Sequence, residues 1–235
     1  MRLRHNKDAL DIILNSEYSI NSFPYELNNK TVLEIGMGKG KMLCELAKNH
    51  PEITYIGLEK YSTPALSALK RFKEAKITNA KILIGDAIKI EEYFSNKINT
   101  IWLTFSDPWP KKRHFKRRLV YRDFLKKYES ILAEDGIIYF KSDNDLLYEF
   151  ALEELQEYKA NIIYNTTDLH NCDYDIENHF TDYEKKFKEM NKNINFIAFK
   201  FFKKKTYFNI LKSKNKHFFC IINRKIVFIF LIKKL

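Results

Sequence analysis

Apolar residues along this chain come in short runs that end at a glycine or an acid. Stretches with helical spacing separate them. Residues 31–36 (TVLEIG) form the first run and read as a buried strand. Residues 41–49 (KMLCELAKN) place apolar side chains at helical intervals and stop before Pro51. Residues 54–59 (TYIGLE) predict a second strand. Residues 64–75 predict a second helix, with Thr63 as its cap just before Pro64. Further strands are predicted at 81–85, 100–106 and 136–141, and further helices at 122–132 and 145–155. Residues 161–165 and 195–202 complete the series as two last strands. Strands alternating with helices predict an α/β fold with a Rossmann-like, doubly wound, mostly parallel sheet. Ligands of such sheets sit at the carboxyl ends of the strands.

Charge changes this picture only once it is located. The chain of 235 residues holds 41 Lys and Arg against 30 Asp and Glu, a net of +11. Eleven of the basic residues lie in 200–235, where no acid occurs, so 30 basic face 30 acidic groups in the remainder. The body is therefore neutral and the tail cationic. Within the body, residues 111–127 carry nine basic residues against Asp123, and residues 129–189 carry sixteen acids against five basic residues. Hydrophobic residues make up 45% of the chain, which excludes a disordered polyelectrolyte. Cys44, Cys172 and Cys220 are widely spaced, with no metal-ligand pattern, so no metal is expected and a reducing cytoplasm suits the thiols. The first residues carry charge without an apolar run, unlike a signal peptide. The longest apolar run, 226–232, is far short of the roughly 20 residues a spanning helix needs. No stable membrane insertion is expected. The pattern is equally compatible with a monomer and a homodimer.

The polar groups of interest all follow predicted strands. After the first come Glu34 and the glycines Gly36, Gly38 and Gly40. Alternate glycines let the backbone turn tightly and approach a ligand. The spacing is neither that of a dinucleotide fingerprint nor that of a phosphate loop. An acid just before the glycines would repel a pyrophosphate but suit a cationic amine or a sulfonium. Glu59 ends the second strand, where this fold grips ribose hydroxyls, and Asp86 follows the third, placed for an adenine edge. Taken together, the three acids in this order read as an S-adenosylmethionine pocket, although each alone also reads as a helix cap.

The fourth strand runs into Ser106-Asp107-Pro108-Trp109-Pro110, a turn stiffened by two prolines with a flat indole face beside an acid. Lys111, Lys112, Arg113, His114, Phe115, Lys116, Arg117 and Arg118 follow and read as a track for an RNA phosphate backbone. After the fifth strand, Asp143 and Asn144 are placed to read a guanine edge. Further on, Thr181, Asp182, Tyr183 and Glu184 read either as a capping box or as part of a substrate site. His114 is the only histidine near the mouth. His5, His50, His170, His179 and His217 carry no pattern.

Over residues 1–200 the strings MRLRH, LEIGMGKG, YIGLE, FSDPWPKKRHFKRRL, KSDN and TDYEKKF resemble the bacterial tRNA (guanine-N(7)-)-methyltransferases. The resemblance implies the class I S-adenosylmethionine-dependent methyltransferase fold in residues 1–203. It implies methylation of a guanosine in the variable loop of tRNA. It also implies cofactor contacts from Glu34, Glu59, Asp86 and Asp107, with Asp107 as the catalytic residue. Lys111, Asp143 and the stretch Thr181, Asp182, Tyr183 and Glu184 would hold the guanosine. Arg113, His114, Phe115, Lys116, Arg117 and Arg118 would meet RNA. Thr104 stands where the family commonly has Asn, and Ser142 where it commonly has Thr. The rival readings are methylation of another base and a non-catalytic RNA-binding module that retains the pocket. Residues 204–235 lie beyond the resemblance. They read as an RNA-binding arm, a membrane-surface segment or translated AT-rich sequence without a role.

Overall fold

The structure is a computed structural model. It describes residues 6–28, 30–182, 184, 187, 190, 192–202, 219–222 and 225–228. The chain divides into two compact units, Met1–Phe201 and Phe202–Leu235. The first unit opens with α1 (Ala9–Leu14), which has no counterpart among the elements read from the sequence. Then come β1 (Thr31–Ile35), α2 (Lys41–Asn49), β2 (Thr54–Glu59), α3 (Ser62–Glu74), β3 (Ala80–Ile84), α4 (Ile90–Tyr93), β4 (Ile98–Thr104), α5 (Arg122–Ile131), β5 (Leu132–Ser142), α6 (Asp145–Tyr158), β6 (Asn161–Thr166) and β7 (Asn195–Lys200). The strands make one seven-stranded sheet in the order β3-β2-β1-β4-β5-β7-β6. β1 to β5 are parallel. β7 inserts antiparallel between β5 and β6. The second unit contains a separate antiparallel pair, β8 (Phe219–Ile222) with β9 (Lys225–Phe228). Among the described residues no helix is long and apolar enough to cross a membrane.

The central strands are buried on both faces, so they read as continuous apolar runs rather than as alternating ones. On one face Leu33, Ile35, Leu103, Ile138 and Phe140 pack against Leu125, Tyr128, Ala151 and Leu155 of α5 and α6. On the other, Tyr55, Ile82, Trp102 and Phe196 pack against Met42, Leu43, Leu69 and Phe72 of α2 and α3. Parallel partners in register share a face. Glu34 pairs with Trp102, Trp102 with Tyr139, and Thr104 with Lys141, so all five side chains lie on the α2–α3 face. The open edge of β3 is covered by the amino-terminal segment: the Ile82 amide donates to the Tyr18 carbonyl at 2.7 Å and the Ile20 amide to the Ile82 carbonyl at 2.9 Å. This pairing keeps the edge from recruiting another chain.

Two local expectations need correction. The helix after β2 starts at Ser62 rather than at Pro64, and its cap position is Tyr61, without a side-chain cap bond. Thr63 lies inside the first turn, where its hydroxyl accepts the Asn6 amide at 3.2 Å and so tethers the amino terminus. The fifth strand begins at Leu132, directly after α5, rather than at Gly136. Exposed Glu134 and Asp135 interrupt the apolar pattern there, although the backbone is already paired through Leu132 to Ile98.

The glycine loop uses a backbone conformation that residues with a side chain rarely adopt. Gly36, Gly38 and Gly40 all have positive φ, at 79°, 56° and 63°. A Cβ on Gly40 would also stand 2.7 Å from the Ala68 Cβ on α3. Gly40→Ala should therefore cost about 2–4 kcal/mol, from left-handed backbone strain together with overpacking. Urea denaturation of the variant beside the wild type measures it.

Candidate active site

The strand order reverses direction between β1 and β4, and the crevice of a doubly wound sheet opens at such a point. Glu34 lies on β1 at this crevice and is 2% exposed. Thr104 on β4 donates to its Oε1 at 2.6 Å. Its Oε2 is buried with no partner among the described residues. Burial pushes the Glu34 carboxyl up to about 7. The Thr104 hydroxyl and the charge of Lys141 oppose the rise, and Glu59 adds to it. Gly36 and Gly38 lie directly beyond, and a Cβ on either would stand in open space.

Glu59, at the end of β2, is also buried. One oxygen accepts the Gly38 amide at 3.1 Å and the other the Tyr61 amide at 2.9 Å, so the acid braces the glycine loop. Burial raises its carboxyl above the ordinary range against these amide bonds, and the charge of Asp107 raises it further. Asp86 caps the turn after β3 through the Ile88 amide at 3.1 Å and pairs with Lys60 at 2.7 Å. Partial burial works to raise it, but the Lys60 ammonium and the Ile88 amide prevail and hold it below the usual range.

The turn after β4 carries two bulky residues with left-handed backbone, Phe105 at φ 47° and Trp109 at φ 42°. Such conformations cost about 1–3 kcal/mol each and persist only where the surroundings enforce them. Here Arg118 enforces the turn. Its Nε donates to the Pro108 carbonyl at 2.9 Å, a second nitrogen reaches the Trp109 carbonyl at 3.3 Å, and the guanidinium lies 4.3 Å from the Phe150 ring centre. Asp107 is exposed at the tip. Arg117 lies over the Trp109 ring at 4.9 Å, and His114 meets its edge at 5.7 Å. Arg113, Lys116 and Arg117 are exposed, as is Lys111. Phe115 instead packs edge-on against Tyr121 at 5.2 Å. The basic string therefore divides into an outward set and two inward members, Phe115 and Arg118.

Lys141, which the sequence gives no separate role, is the centre of the remaining contacts. It is fully buried on β5, and burial lowers its ammonium against the opposing charges of Glu184 and Glu34. Its Nζ donates to Glu184 Oε2 at 2.7 Å, Asn178 Oδ1 at 2.8 Å and the His179 carbonyl at 3.2 Å. Thr181 and Glu184 form the reciprocal capping box: the Glu184 amide donates to the Thr181 hydroxyl at 3.0 Å, and the Thr181 amide to Glu184 Oε2 at 3.3 Å. Asp182 lies 3.3 Å from Arg71 on α3 and 4.0 Å from Lys41 on α2. Tyr183 lies outside the described residues. Asp143, half-buried after β5, faces the Lys192 ammonium at 3.6 Å.

Two histidines without a sequence pattern prove to be fasteners. His50 and His179 both contact the Glu177 carboxylate, which also accepts from Asn49 at 3.0 Å. Burial works to raise Glu177, yet Asn49, His179 and His50 bring it down to about 2. Glu177 thus meets the carboxyl end of α2, whereas Asp182 meets its amino end. The segment between them runs along that helix to the crevice. No local signal marks the contacts of Glu177 with Asn49 and His50 or of Asp182 with Arg71, because those partners lie more than a hundred residues apart.

An open sheet of this order, with acids at the carboxyl ends of its first three strands and a glycine turn between β1 and α2, defines the class I methyltransferase scaffold. A family described as "Putative methyltransferase" matches residues 28–197. A tRNA (guanine-N(7)-)-methyltransferase of Metamycoplasma hominis is 62% identical over 201 residues, covering 86% of this chain and 100% of that protein. The chain belongs to the tRNA (guanine-N(7)-)-methyltransferase family. Among solved structures, an antibiotic-related methyltransferase superposes with a TM-score of 0.53 at 16% identity, covering 85% of this chain and 96% of that one. PKMT2 from Rickettsia typhi, in complex with AdoHcy, superposes with a TM-score of 0.51 at 14% identity, covering 73% and 48%. These two likenesses concern the fold.

The raised Glu34 carboxyl has a stability consequence. Its ordinary value is 4.5 and its folded value about 7. Between those values the folded protein holds a proton that the unfolded chain releases. Ligand-free stability should therefore fall as pH rises from 4.5 to 7, by up to about 3 kcal/mol, and this contribution should level off above. Glu34→Gln should lack it. Urea midpoints of both proteins at pH 5 and pH 7.5 measure the difference.

Proposed function

We infer that this enzyme transfers the methyl group of S-adenosylmethionine to nitrogen 7 of a guanosine in the variable loop of tRNA. The observation that carries the reading is one juxtaposition at the sheet edge. The buried oxygen of Glu34 that has no partner among the described residues and the open space over Gly36 and Gly38 lie at the crevice. The strained turn with Asp107 and the outward basic residues follows the adjacent strand. These residues fit the cofactor. Glu34 would meet its cationic end, the glycines would let its chain approach the backbone, Glu59 would offer its remaining lone pairs to ribose hydroxyls, and Asp86 would meet the adenine edge.

The cofactor supplies an electrophilic methyl group on a positively charged sulfur. Nitrogen 7 of guanine has a free lone pair and no proton, so the protein need not supply a general base. Positive charge develops on the purine as the bond forms, and Asp107 is the carboxylate proposed to stabilise it. Holding two reactants in line provides much of the remaining rate. Lys111, Asp143, Thr181, Asp182 and Glu184 are the groups proposed to hold the guanosine. Arg113, Lys116, Arg117 and His114 are proposed to contact the RNA, with Phe115 and Arg118 keeping that surface in shape. Exposing the base requires opening the tRNA locally. The enzyme is expected to work in the cytoplasm.

Two measurements test the reading. Asp107→Ala should retain the fold and tRNA affinity and lose methylation by about 100-fold or more. Labelled cofactor, tRNA and mapping of the product base decide it; product on any other base, or near wild-type turnover in the variant, sinks the assignment. Replacing Arg113, Lys116 and Arg117 together by Ala should weaken tRNA binding and flatten its salt dependence, by about 0.7–0.9 in slope for each phosphate no longer neutralised. Filter binding across a salt series reads the slope.

A further inference from the structure

Four ionisable groups are shut away from water around the crevice: the carboxyls of Glu34, Glu59 and Glu184 and the ammonium of Lys141. Glu59 is taken up by the Gly38 and Tyr61 amides, which leaves the Lys141 ammonium facing Glu184 and Glu34. Their attachments differ. Glu34 belongs to β1 and leaves one buried oxygen without a partner among the described residues. Glu184 belongs to the segment that runs along α2, and His170 lies 3.5 Å from its second oxygen. Among the described residues, the Lys141 ammonium hydrogen-bonds on the segment side, to Glu184, Asn178 and His179, while its charge also acts on Glu34. Thr104, which bonds Glu34, is the register partner of Lys141.

We propose that Lys141 is a positioning residue that couples cofactor binding to the guanosine-holding segment. The inference rests on the proposed placement of the cofactor at Glu34 and of the guanosine at Thr181 and Glu184. A cation arriving at the free oxygen of Glu34 favours its ionised form and offsets that charge. The offset Glu34 carboxyl then pulls less on the Lys141 ammonium, which settles toward Glu184 and its neighbours. The segment tightens, and tRNA binds more strongly. By linkage, tRNA strengthens cofactor binding by the same factor.

The test measures that factor. The probe is sinefungin, a non-reactive analogue that keeps the amino-acid ammonium and carries an amine in place of the sulfonium methyl. In the wild type, saturating sinefungin should tighten tRNA binding about fivefold or more. In Lys141→Met, and in the double variant Lys141→Met with Glu184→Gln, the ratio of affinities with and without the probe should fall to about 1. A merely structural role would weaken both affinities and leave their ratio unchanged. In the wild type, sinefungin should also slow hydrogen exchange at the amides of Thr181 and Glu184, a readout that decides the matter even where neither variant folds. A wild-type ratio of one, coupling that survives in a folded variant, or unchanged exchange overturns the proposal. Wild-type methylation at nitrogen 7 is scored separately, so that failure of the coupling and failure of the functional reading are told apart.

Discussion

An ammonium group without water must be surrounded by oxygen, and Lys141 imposes that requirement on the whole carboxyl edge of the sheet. Burying an ion costs several kcal/mol unless a partner and further hydrogen bonds compensate it. The compensation here comes from a segment with little regular structure of its own. Glu184, Asn178 and the His179 carbonyl are held in place because Lys141 needs them, and Thr181 is held by its capping bonds to Glu184. Glu177, clasped by His50, His179 and Asn49, anchors the far end of the same segment. This part of the site is thus held to the sheet by electrostatics and side-chain hydrogen bonds rather than by strand pairing.

Another part is built by backbone strain held in place. Phe105 and Trp109 occupy left-handed conformations that neither side chain favours. Two prolines and the Arg118 guanidinium leave the turn little alternative. A rigid turn presents Asp107 with little entropy left to lose. The same edge keeps two buried polar atoms without partners among the described residues, Glu34 Oε2 and Ser106 Oγ. Such atoms are rare in folded proteins. Glu34 Oε2 lies where the cofactor is proposed to bind, and leaving such an atom unpaired sacrifices stability for binding.

Much of this was legible in the order of residues. The apolar runs identify β1 closely, and β2 and α2 to the residue, because their partners bury them and their ends are marked by glycine, proline or an acid. Glu34, Glu59, Asp86, Asp107 and Asp143 fall at or just after strand ends, as the alternation implies. The capping box of Thr181 and Glu184 is also a local signal, and it forms. Less legible were Thr63, whose hydroxyl answers to Asn6 across 57 residues, and the early start of β5, whose exposed acids hide a strand already paired through its backbone. The antiparallel insertion of β7 between β5 and β6 leaves no mark on either strand, since both read simply as apolar runs.

Local chemistry is enough to say that this chain folds as an alternating α/β sheet with acids along its carboxyl edge. Periodicity and strand termini are properties of neighbouring residues. It does not say what each acid does there. Glu59 spends both oxygens on amides, Asp86 is claimed by Lys60, and Glu184 is sealed against Lys141, while Glu34 alone among them keeps a buried oxygen without a partner among the described residues. Those differences follow from pairings across 21, 26 and 43 residues and from the exclusion of water. Desolvation and long-range pairing exist only once the chain has closed on itself.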